Sequence, residues 1–497
     1  MQMRAISTVF AFKYFQIFFL LLLATTASKG TPPVSQQAYI QVATGSNHSL
    51  ALSAEGIIYA WGSNSIGQLG DGTTLDRLTP VLVSLAGLPA NTRFTCIAAG
   101  SSHSLAVSTE GKLYSWGNNY SAQLGDGTFI NRSSPTQVNV QAVPVGTRFS
   151  SVAASSSTSM ALTTDGKLYV WGNNILGTLG DGSTNTQTGA VAVSLQNIPP
   201  NTRFKQIANG VEHSVVLSTD GVLYAWGENS LFQVGDATIT RRRTPIAVDV
   251  RDLPVGTRFA QISCGAYHTL ALGTDGTLYA WGFNGYGAFG DDNAGDGRTP
   301  NIIRLGGLPT GTSLVQIAGI GYHSLALASN GALYTWGRNN YGQLGDGTFA
   351  QRNAPVRESS NGTGWIGLGQ GASANHSLVL GPGGGVFSAG LNNAGQLGDG
   401  TVINSPIFVR NQLPLATSTS GQSRAKFYTY PIPAHGSVRV RGALAGTALM
   451  LLDVQGRLVQ CVQAAADGSA TLVLPPTLPV GLYILHNAGR TLRLPIE

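Results

Sequence analysis

Six histidines recur at one position of the chain and, by residue type, could bind a metal or act as general acids and bases. They are His48, His103, His213, His268, His323 and His376. A zinc site needs three or four ligands at about 2.0–2.3 Å from one ion. Side chains at equivalent positions of successive repeats are instead spread around a ring. We therefore predict structural histidines, each bonding the backbone of its own repeat, with no metal and no cofactor.

The densest group of carboxylates, Asp291, Asp292 and Asp296, raises the possibility of a calcium loop. Calcium loops of the helix–loop–helix type follow Asp-x-[Asp/Asn]-x-[Asp/Asn]-Gly and end in a glutamate at the twelfth position. The segment 291–297 fits neither requirement, so we do not predict a calcium site.

Segments that depart from the repeat are the candidate binding loops. Their candidate residues are Glu228, Phe232, Asp291, Asp292, Asp296, Arg298 and Trp365.

Local catalytic motifs are absent from the sequence. It contains no Ser/His/Asp elbow, no Walker loop and no His-Glu-x-x-His. Because a catalytic triad need not be local in sequence, a hydrolase or lyase with a cleft on one face stays open as an alternative. We expect a protein that is not an enzyme.

The net charge of +6 comes from 29 basic residues spread over the whole chain, with one dense group at Arg241, Arg242 and Arg243. Nucleic-acid binders concentrate basic charge on one face or tail, so we predict no nucleic-acid partner.

Cys96, Cys264 and Cys461 lie far apart and lack a Cys-x-x-Cys spacing. They are expected to be buried apolar residues, in neither a disulfide framework nor a metal site.

The histidines belong to a repeat of 55 residues, which is clearest in the tryptophans. These are Trp61, Trp116, Trp171, Trp226, Trp281 and Trp336. Two short apolar runs flank an Asp-Gly or Glu-Gly turn, which predicts a β-hairpin. A Pro-x-x-Val segment and a Thr-Arg-Phe-x-x-Ile segment supply two more strands. Four strands per repeat, in seven copies, predict an all-β chain with a seven-bladed β-propeller over 34–411.

The seventh copy carries Ala389 in place of the tryptophan, so we expect different packing there. Its last Pro-x-x-Val segment is an extra copy of that strand, because the first repeat begins without one. We therefore predict that residues 406–409 complete the blade begun by residues 39–53, which would leave no exposed sheet edge. The arginines Arg77, Arg132, Arg242 and Arg352 recur three residues before a proline. Their equivalent placement favours a structural role over an anion site.

The pattern Gly-x-x-His, Leu-Tyr-x-Trp-Gly-x-Asn-x-x-Gly-Gln-Leu-Gly resembles the regulator of chromosome condensation repeat over about residues 39–410. The resemblance implies a seven-bladed propeller. It also implies, as the family's best-known activity, guanine-nucleotide exchange on a small GTPase. The terminal segments argue against transferring that activity, because they predict export from the cytoplasm.

The N-terminus has a charged start, an apolar run IFFLLLLA at residues 17–24 and small residues after it. This pattern predicts a signal peptide over residues 1–28. No later segment has the roughly 20 apolar residues of a membrane helix, so we expect no transmembrane span in the mature chain. Export through the secretory pathway is the expectation.

Residues 412–424 are predicted to be a linker, and 425–497 a small Ig-like β-sandwich. The order Tyr-Pro-x-Pro, Asp-x-x-Gly-Arg-Leu-Val, Leu-Pro-x-Gly-Leu-Tyr resembles the type A C-terminal sorting domain of type IX secretion substrates. The motif residues are Pro431, Pro433, Asp453, Gly456, Arg457, Gly481 and Tyr483. The resemblance implies a Bacteroidota-type bacterium and contact with the secretion machinery.

Together, these features predict a secreted or cell-surface propeller that acts as a binding module. The partner would be an extracellular protein or a glycan, and we expect a monomer.

Overall fold

The computed structural model describes residues 38–293, 295–304, 312–358, 364–381, 384–413 and 428–496. The last range has gaps at 436, 442–446, 454–457, 466–468, 476–477 and 488–489. In these residues the regular secondary structure is made of β-strands, with no α-helix. No helical segment among them is therefore long and apolar enough to cross a bilayer. The predicted signal peptide and most of the predicted linker lie outside the described residues.

Seven four-stranded antiparallel sheets follow one another along the chain. Blades 1 to 3 consist of β1 (Tyr39–Thr44), β2 (His48–Ser53), β3 (Ile58–Gly62) and β4 (Arg77–Leu82); β5 (Phe94–Ala99), β6 (His103–Ser108), β7 (Leu113–Gly117) and β8 (Arg132–Gln137); and β9 (Phe149–Ala154), β10 (Thr158–Thr163), β11 (Leu168–Gly172) and β12 (Gln187–Ala192).

Blades 4 to 7 repeat the arrangement. They consist of β13 (Phe204–Asn209), β14 (His213–Ser218), β15 (Leu223–Gly227) and β16 (Arg242–Ala247); β17 (Phe259–Cys264), β18 (His268–Gly273), β19 (Leu278–Gly282) and β20 (Gly297–Ile303); β21 (Leu314–Ile320), β22 (His323–Ala328), β23 (Leu333–Gly337) and β24 (Arg352–Arg357); and β25 (Gly367–Leu368), β26 (His376–Leu380), β27 (Val386–Gly390) and β28 (Ser405–Arg410).

The two middle strands of each blade are apolar because neighbouring blades cover both faces of the sheet. In blade 1, every residue of β2 and β3 is buried, whereas the outer strand β4 is partly exposed. Continuous apolar runs are typical of strands buried on both sides. The inner strands surround a central channel, whose wall includes Gln41, Cys96 and Ser151. The strands predicted from the Pro-x-x-Val and Thr-Arg-Phe segments are therefore the outer and inner strands.

Buried tryptophans join each blade to the blade before it. Their indole N–H groups donate to backbone carbonyls of the preceding blade over 2.8–3.0 Å. The donors and acceptors are Trp116 and Gln68, Trp171 and Gln123, Trp226 and Thr178, Trp281 and Gln233, Trp336 and Ala288, and Trp61 and Gln396. The last pair links blade 1 to blade 7. The seven sheets therefore form a closed ring, a seven-bladed β-propeller.

Blade 7 has Phe408 where the other blades have tryptophan. Where blade 2 meets blade 1, a Cβ built on Gly70 of blade 1 would lie 2.6 Å from Nε1 of Trp116. Where blade 7 meets blade 6, a Cβ built on Gly345 of blade 6 would lie 2.3 Å from the ring of Phe408. The phenyl ring thus occupies the site under the turn of the preceding blade, although it comes from β28 and not from β27. Ala389 is buried beside it.

The predicted closure of the ring is wrong. Ser388 pairs with Val409 and Gly390 with Ser405, so 406–409 belong to blade 7. Blade 1 is completed by its own β4. Each outer strand pairs with the strand just before it in sequence, which needs a shorter loop than pairing across the whole ring. The ends meet through single contacts instead: the amide of Thr44 donates to the carbonyl of Gln370 over 3.0 Å.

Residues 428–496 form a seven-stranded sheet in the order β32-β31-β34-β35-β29-β30-β33. The strands are β29 (Tyr428–His435), β30 (Ser437–Arg441), β31 (Ala448–Leu452), β32 (Leu458–Gln463), β33 (Ala470–Val473), β34 (Gly481–Asn487) and β35 (Arg490–Ile496). One parallel contact, between Ala434 and Ile496, joins its two antiparallel groups. Leu449, Leu485 and Leu494 lie in its core. The Ig-like sandwich stays a prediction.

Candidate binding face

Two families of loops leave the blades on the same face of the ring. In blade 1, His48 at the start of β2 pairs with Gly62 at the end of β3. The loop before the histidine and the loop after the Trp-Gly pair therefore leave the sheet at one edge. The same register recurs in the other blades, for example between His268 and Gly282. We call this side the loop face.

Two equivalent positions on the loop face carry aromatic or charged residues over blades 4 to 6. The residues just before the histidine position are Asn47, Ser102, Ser157, Glu212, Tyr267, Tyr322 and Asn375. Those just after the Trp-Gly pair, or its equivalent in blade 7, are Ser63, Asn118, Asn173, Glu228, Phe283, Arg338 and Leu391. At both positions the aromatic and charged residues fall in three adjacent blades. Such a clustered departure from the repeat indicates a surface with its own function.

Tyr267, Phe283, Tyr286, Tyr322, Tyr341 and Arg338 form one contiguous group, which we call the aromatic patch. The ring centroids of Tyr286 and Tyr322 lie 5.1 Å apart at 68°. Tyr267 and Tyr322 are 5.9 Å apart at 43°, and Phe283 is 6.1 Å from Tyr322 at 76°. Edge-to-face and tilted pairs at these distances are favourable. All six side chains are half-buried, so the rings are fixed and still reach solvent.

Arg338 lies among three tyrosine rings. Its Cζ is 5.2 Å from the centroid of Tyr286, 5.7 Å from that of Tyr322 and 5.6 Å from that of Tyr341. These are cation–π distances. Nε donates to Oδ1 of Asn340 over 2.8 Å. The stem and plane of the guanidinium are therefore held in place before any ligand arrives.

Two glutamates border the aromatic patch and differ in their surroundings. Both oxygens of Glu228 are occupied: Oε1 accepts the amides of Asn229 and Ser230, and Oε2 accepts two hydrogen bonds from Arg241. Burial opposes its ionisation, but these hydrogen bonds hold the pKa of Glu228 below its ordinary value. Burial raises the pKa of Glu212, and the charge of Glu228 raises it further.

The six repeated histidines are buried and link neighbouring blades. Nε2 of His48 lies 3.0 Å from Oγ of Ser104, which donates its proton to the carbonyl of Gln68 over 2.9 Å. Because a hydroxyl has one proton, Nε2 must be the donor to Ser104. Nδ1 of His48 then carries a buried lone pair without a partner in the described structure. Partners on the following blade contradict the prediction of bonds within one blade.

The same link recurs at five other junctions between neighbouring blades, which we call seams. The partners are His103 with Ser159, His213 with Thr269, His268 with Ser324, His323 with Ser377 and His376 with Ser49, at 2.7–3.0 Å. Burial lowers the pKa of each histidine, to about 3 or 4. Neutral imidazoles that bond within the fold are suited to a structural role, and that role stays a prediction. No group of three or more metal-binding side chains is found in the described part of the chain.

The seam between blades 3 and 4 lacks this link. Thr158 replaces the histidine and bonds Ser155 of its own loop at 2.7 Å. Ser155 stands where most repeats have glycine, since a Cβ on Gly45 would lie 2.2 Å from the His48 ring. At other seams an inner-strand glutamine also bonds the next blade, as Gln206 does with Ile262. Here the equivalent residue is Ser151, and the structure records no such bond for it.

The structure places the predicted loop residues in different surroundings. Phe232 and Arg298 meet in a cation–π contact at 5.2 Å, and Glu228 borders the aromatic patch. Asp291 accepts from Asn284 and Asn293, and Asp296 accepts from the Asn284 amide, so both hold the loop itself. Asp292 is exposed.

Trp365 is a core residue, which corrects its prediction as a binding residue. It is 6% exposed, packs on Phe387 and Phe408, and donates to Glu358.

Cys461 is exposed, contrary to prediction, whereas Cys96 and Cys264 are buried. The four repeated arginines pair with aspartates of their own blades, at Asp71, Asp126, Asp236 and Asp346, which confirms their structural role.

Of the sorting-motif residues, Pro431 and Pro433 lie in β29 and Gly481 and Tyr483 in β34. The hydroxyl of Tyr483 donates to the carbonyl of Pro479 over 2.8 Å. Asp453 follows β31, and Gly456 and Arg457 lie outside the described residues.

Comparison with known families agrees with this architecture. Residues 85–423 match the sequence profile of the RCC1-like domain, and residues 39–68 and 55–107 match regulator of chromosome condensation (RCC1) repeats. The chain belongs to the RCC1-like domain family. Its similarity to the ultraviolet-B receptor UVR8 of Arabidopsis thaliana is 34% identity over 318 residues, which covers 64% of this chain and 69% of the receptor.

This chain also matches a small part of a much longer relative. The human E3 ubiquitin-protein ligase HERC2 is 31% identical over 320 residues, which are 64% of this chain and 6% of the ligase. Among solved structures, yeast RCC1 (Prp20) superposes with a TM-score of 0.62 at 22% identity and covers 78% of this chain and 90% of its own. Human WBSCR16 gives 0.61 at 23% identity, covering 68% and 85%. These two similarities show the fold.

Sequence reasoning missed Glu212, Arg338 and the aromatic residues of the patch. The signal that could have found them is the identity of the residues beside the histidine and Trp-Gly positions, compared from blade to blade.

Proposed function

We propose that this RCC1-like propeller is an interaction module that binds a protein through the aromatic patch. The observation that carries the proposal is Arg338, held among Tyr286, Tyr322 and Tyr341. In blades 1 to 3 the equivalent residues are the small polar Ser63, Asn118 and Asn173. Tyrosine and arginine are enriched among residues that dominate protein-binding energy. Their fixed rotamers lower the entropy cost of binding.

Family membership supports this proposal without fixing the partner. The relatives include a receptor and a ubiquitin ligase, and yeast RCC1 has been solved bound to Kap60. Nucleotide exchange is not proposed. The hydrolase or lyase alternative is not favoured, because the histidines are buried and both oxygens of Glu228 are already occupied.

The terminal segments support a place of action outside the cytoplasm. We propose that the signal peptide and the C-terminal sorting domain direct the chain through the type IX secretion machinery to the outer surface or the medium. On this proposal the partner is an extracellular protein. A C-terminal Ig-like sandwich is part of the same proposal.

The test is an array of purified extracellular proteins and glycans, probed with the full chain and with two arginine variants. R338A removes the cation at the centre of the aromatic patch. R251A is the matched control, because Arg251 is exposed and pairs only with Asp249. We expect protein spots to lose at least tenfold in affinity with R338A, as about 1.4 kcal/mol would cause, and to be unchanged with R251A. Binding that ignores R338A, or that is confined to glycans, would overturn the proposal.

A further inference from the structure

Glu212 is the one carboxylate bordering the aromatic patch for which the described structure records no hydrogen bond or ion pair. Its neighbour Glu228 has both oxygens filled. Glu212 is half-buried beside His213, on the inner of the two loop families. A partly desolvated carboxylate without a partner is unfavourable unless a cation or donor is supplied. The side chain is therefore poised to receive one.

Two tyrosines of the aromatic patch face this carboxylate. Tyr267 and Tyr322 occupy the same repeat position as Glu212 in the next two blades, with ring centroids 5.9 Å apart. Because the three side chains share one repeat position in consecutive blades, they neighbour one another on the loop face. Burial raises the pKa of both phenols, and the charge of Glu212 acts in the same direction. A carboxylate beside two aromatic rings is the combination that stabilises an ammonium or guanidinium group.

The other charges around Glu212 leave room for one more cation. Arg241 is neutralised by its bidentate contact with Oε2 of Glu228. Arg338 lies over the rings of Tyr286, Tyr322 and Tyr341. These tyrosine faces already accept one guanidinium, which shows that the rings are arranged for cation contacts. Arg241 compensates Glu212 only in part, since burial and the charge of Glu228 keep the pKa of Glu212 above its ordinary value.

We propose that Glu212, Tyr267 and Tyr322 form a receptor for a basic side chain, a lysine or an arginine, of the protein partner. This inference rests on the proposed function and names the chemistry that the partner presents. The two tyrosine rings contact the cation while the Glu212 carboxylate neutralises it. Arg338 lies over the ring of Tyr322 and disfavours a second basic group beside its own charge, which favours binding next to Glu212.

The test uses immobilised pentapeptides Gly-Ser-X-Ser-Gly, blocked at both ends, with lysine, arginine, alanine or glutamate at X, probed with the full chain. We expect the lysine and arginine peptides to be bound at least fivefold more tightly than the alanine peptide. E212Q should reduce them to the alanine level. The control E110Q, in an exposed hairpin pair with Lys112, should leave them unchanged.

Basic-peptide binding that persists in E212Q, or a preference for the glutamate peptide, would overturn the receptor. Its failure can be told from failure of the proposed function. Protein binding that depends on Arg338 but not on Glu212 leaves the proposed function standing and removes the cation receptor. Protein binding that is indifferent to R338A removes the proposed function itself.

Discussion

The buried histidine links should make the propeller acid-labile. In the folded state, burial holds the pKa of His48 and His268 at about 4 and that of His103, His213, His323 and His376 at about 3. In the unfolded chain they return to about 6.5. Because the folded values are lower, stability is complete above pH 6.5 and is lost as the pH falls toward the folded values. At His48, His103, His213, His323 and His376, a protonated Nδ1 would also need an acceptor that the described structure does not supply.

The size of the effect follows from this difference in pKa. At pH 5 each histidine favours the unfolded state by about 2 kcal/mol, and the six together by roughly 12 kcal/mol. That is as large as the whole folding free energy of a typical domain, about 5–15 kcal/mol. We expect cooperative unfolding near pH 5, with uptake of several protons.

Tryptophan fluorescence is the appropriate assay, because all seven tryptophans lie between Trp61 and Trp365 and so report on the propeller. Urea unfolding at pH 8, 7, 6 and 5 gives the free energy of unfolding at each pH, and its slope gives the proton uptake. H103Q should lower stability at pH 8 and reduce the proton uptake by about one. A free energy that stays constant between pH 8 and 5, or an uptake below two protons, would refute the argument.

Three further predictions concern single positions, each measured by urea unfolding at pH 8. S155G/T158H should stabilise the chain by about 1 kcal/mol because it supplies the missing link to Ser214, whereas T158H alone should stabilise it less, because Ser155 keeps a side chain beside the imidazole where most linked blades have glycine. F408A should cost about 3–4 kcal/mol, since the ring fills the tryptophan site of blade 7. R352Q should cost less than about 1 kcal/mol, because in blade 3 a glutamine, Gln187, already bonds the equivalent aspartate.

Each of these three predictions has an outcome that would contradict it. Equal stability of T158H and the double variant would show that the glycine is not needed for the imidazole. An F408A protein as stable as the parent would mean that blade 7 does not depend on that ring. A large loss with R352Q, removed by high salt, would assign the stability to charge and not to the hydrogen bond.

The repeat and its strands could be predicted because their signals are local. The histidine and tryptophan positions, the turns and the arginine of four blades follow from spacing alone. The closure could not be predicted: the residues at 406–409 match an outer strand equally well in blade 1 or blade 7, and only the cost of a long loop decides. Trp365 was assigned to a binding loop because it departs from the repeat. It departs because it packs with Phe408 in the blade that lacks the usual tryptophan.

The binding face was harder to predict for another reason. Tyr267, Tyr322 and Glu212 stand beside strongly patterned residues, and the pattern drew attention to His213 and its equivalents. The binding residues stand at a position where folding of the repeat requires no particular residue type. Comparing that position around the ring is possible from sequence once the order of the blades is known, whereas the stacking of Arg338 on three rings requires coordinates.

The sparse seam between blades 3 and 4 has a consequence for how the chain can be rearranged. It lacks the histidine link, and the structure records no glutamine contact there, whereas blades 7 and 1 meet through Trp61, His376 and Thr44. A circular permutant that begins between Ala192 and Phe204, with the native ends of the propeller joined by a short linker, would place its new termini at the junction that lacks the histidine link. The ring would then be covalently continuous where blades 7 and 1 meet and open where that link is missing.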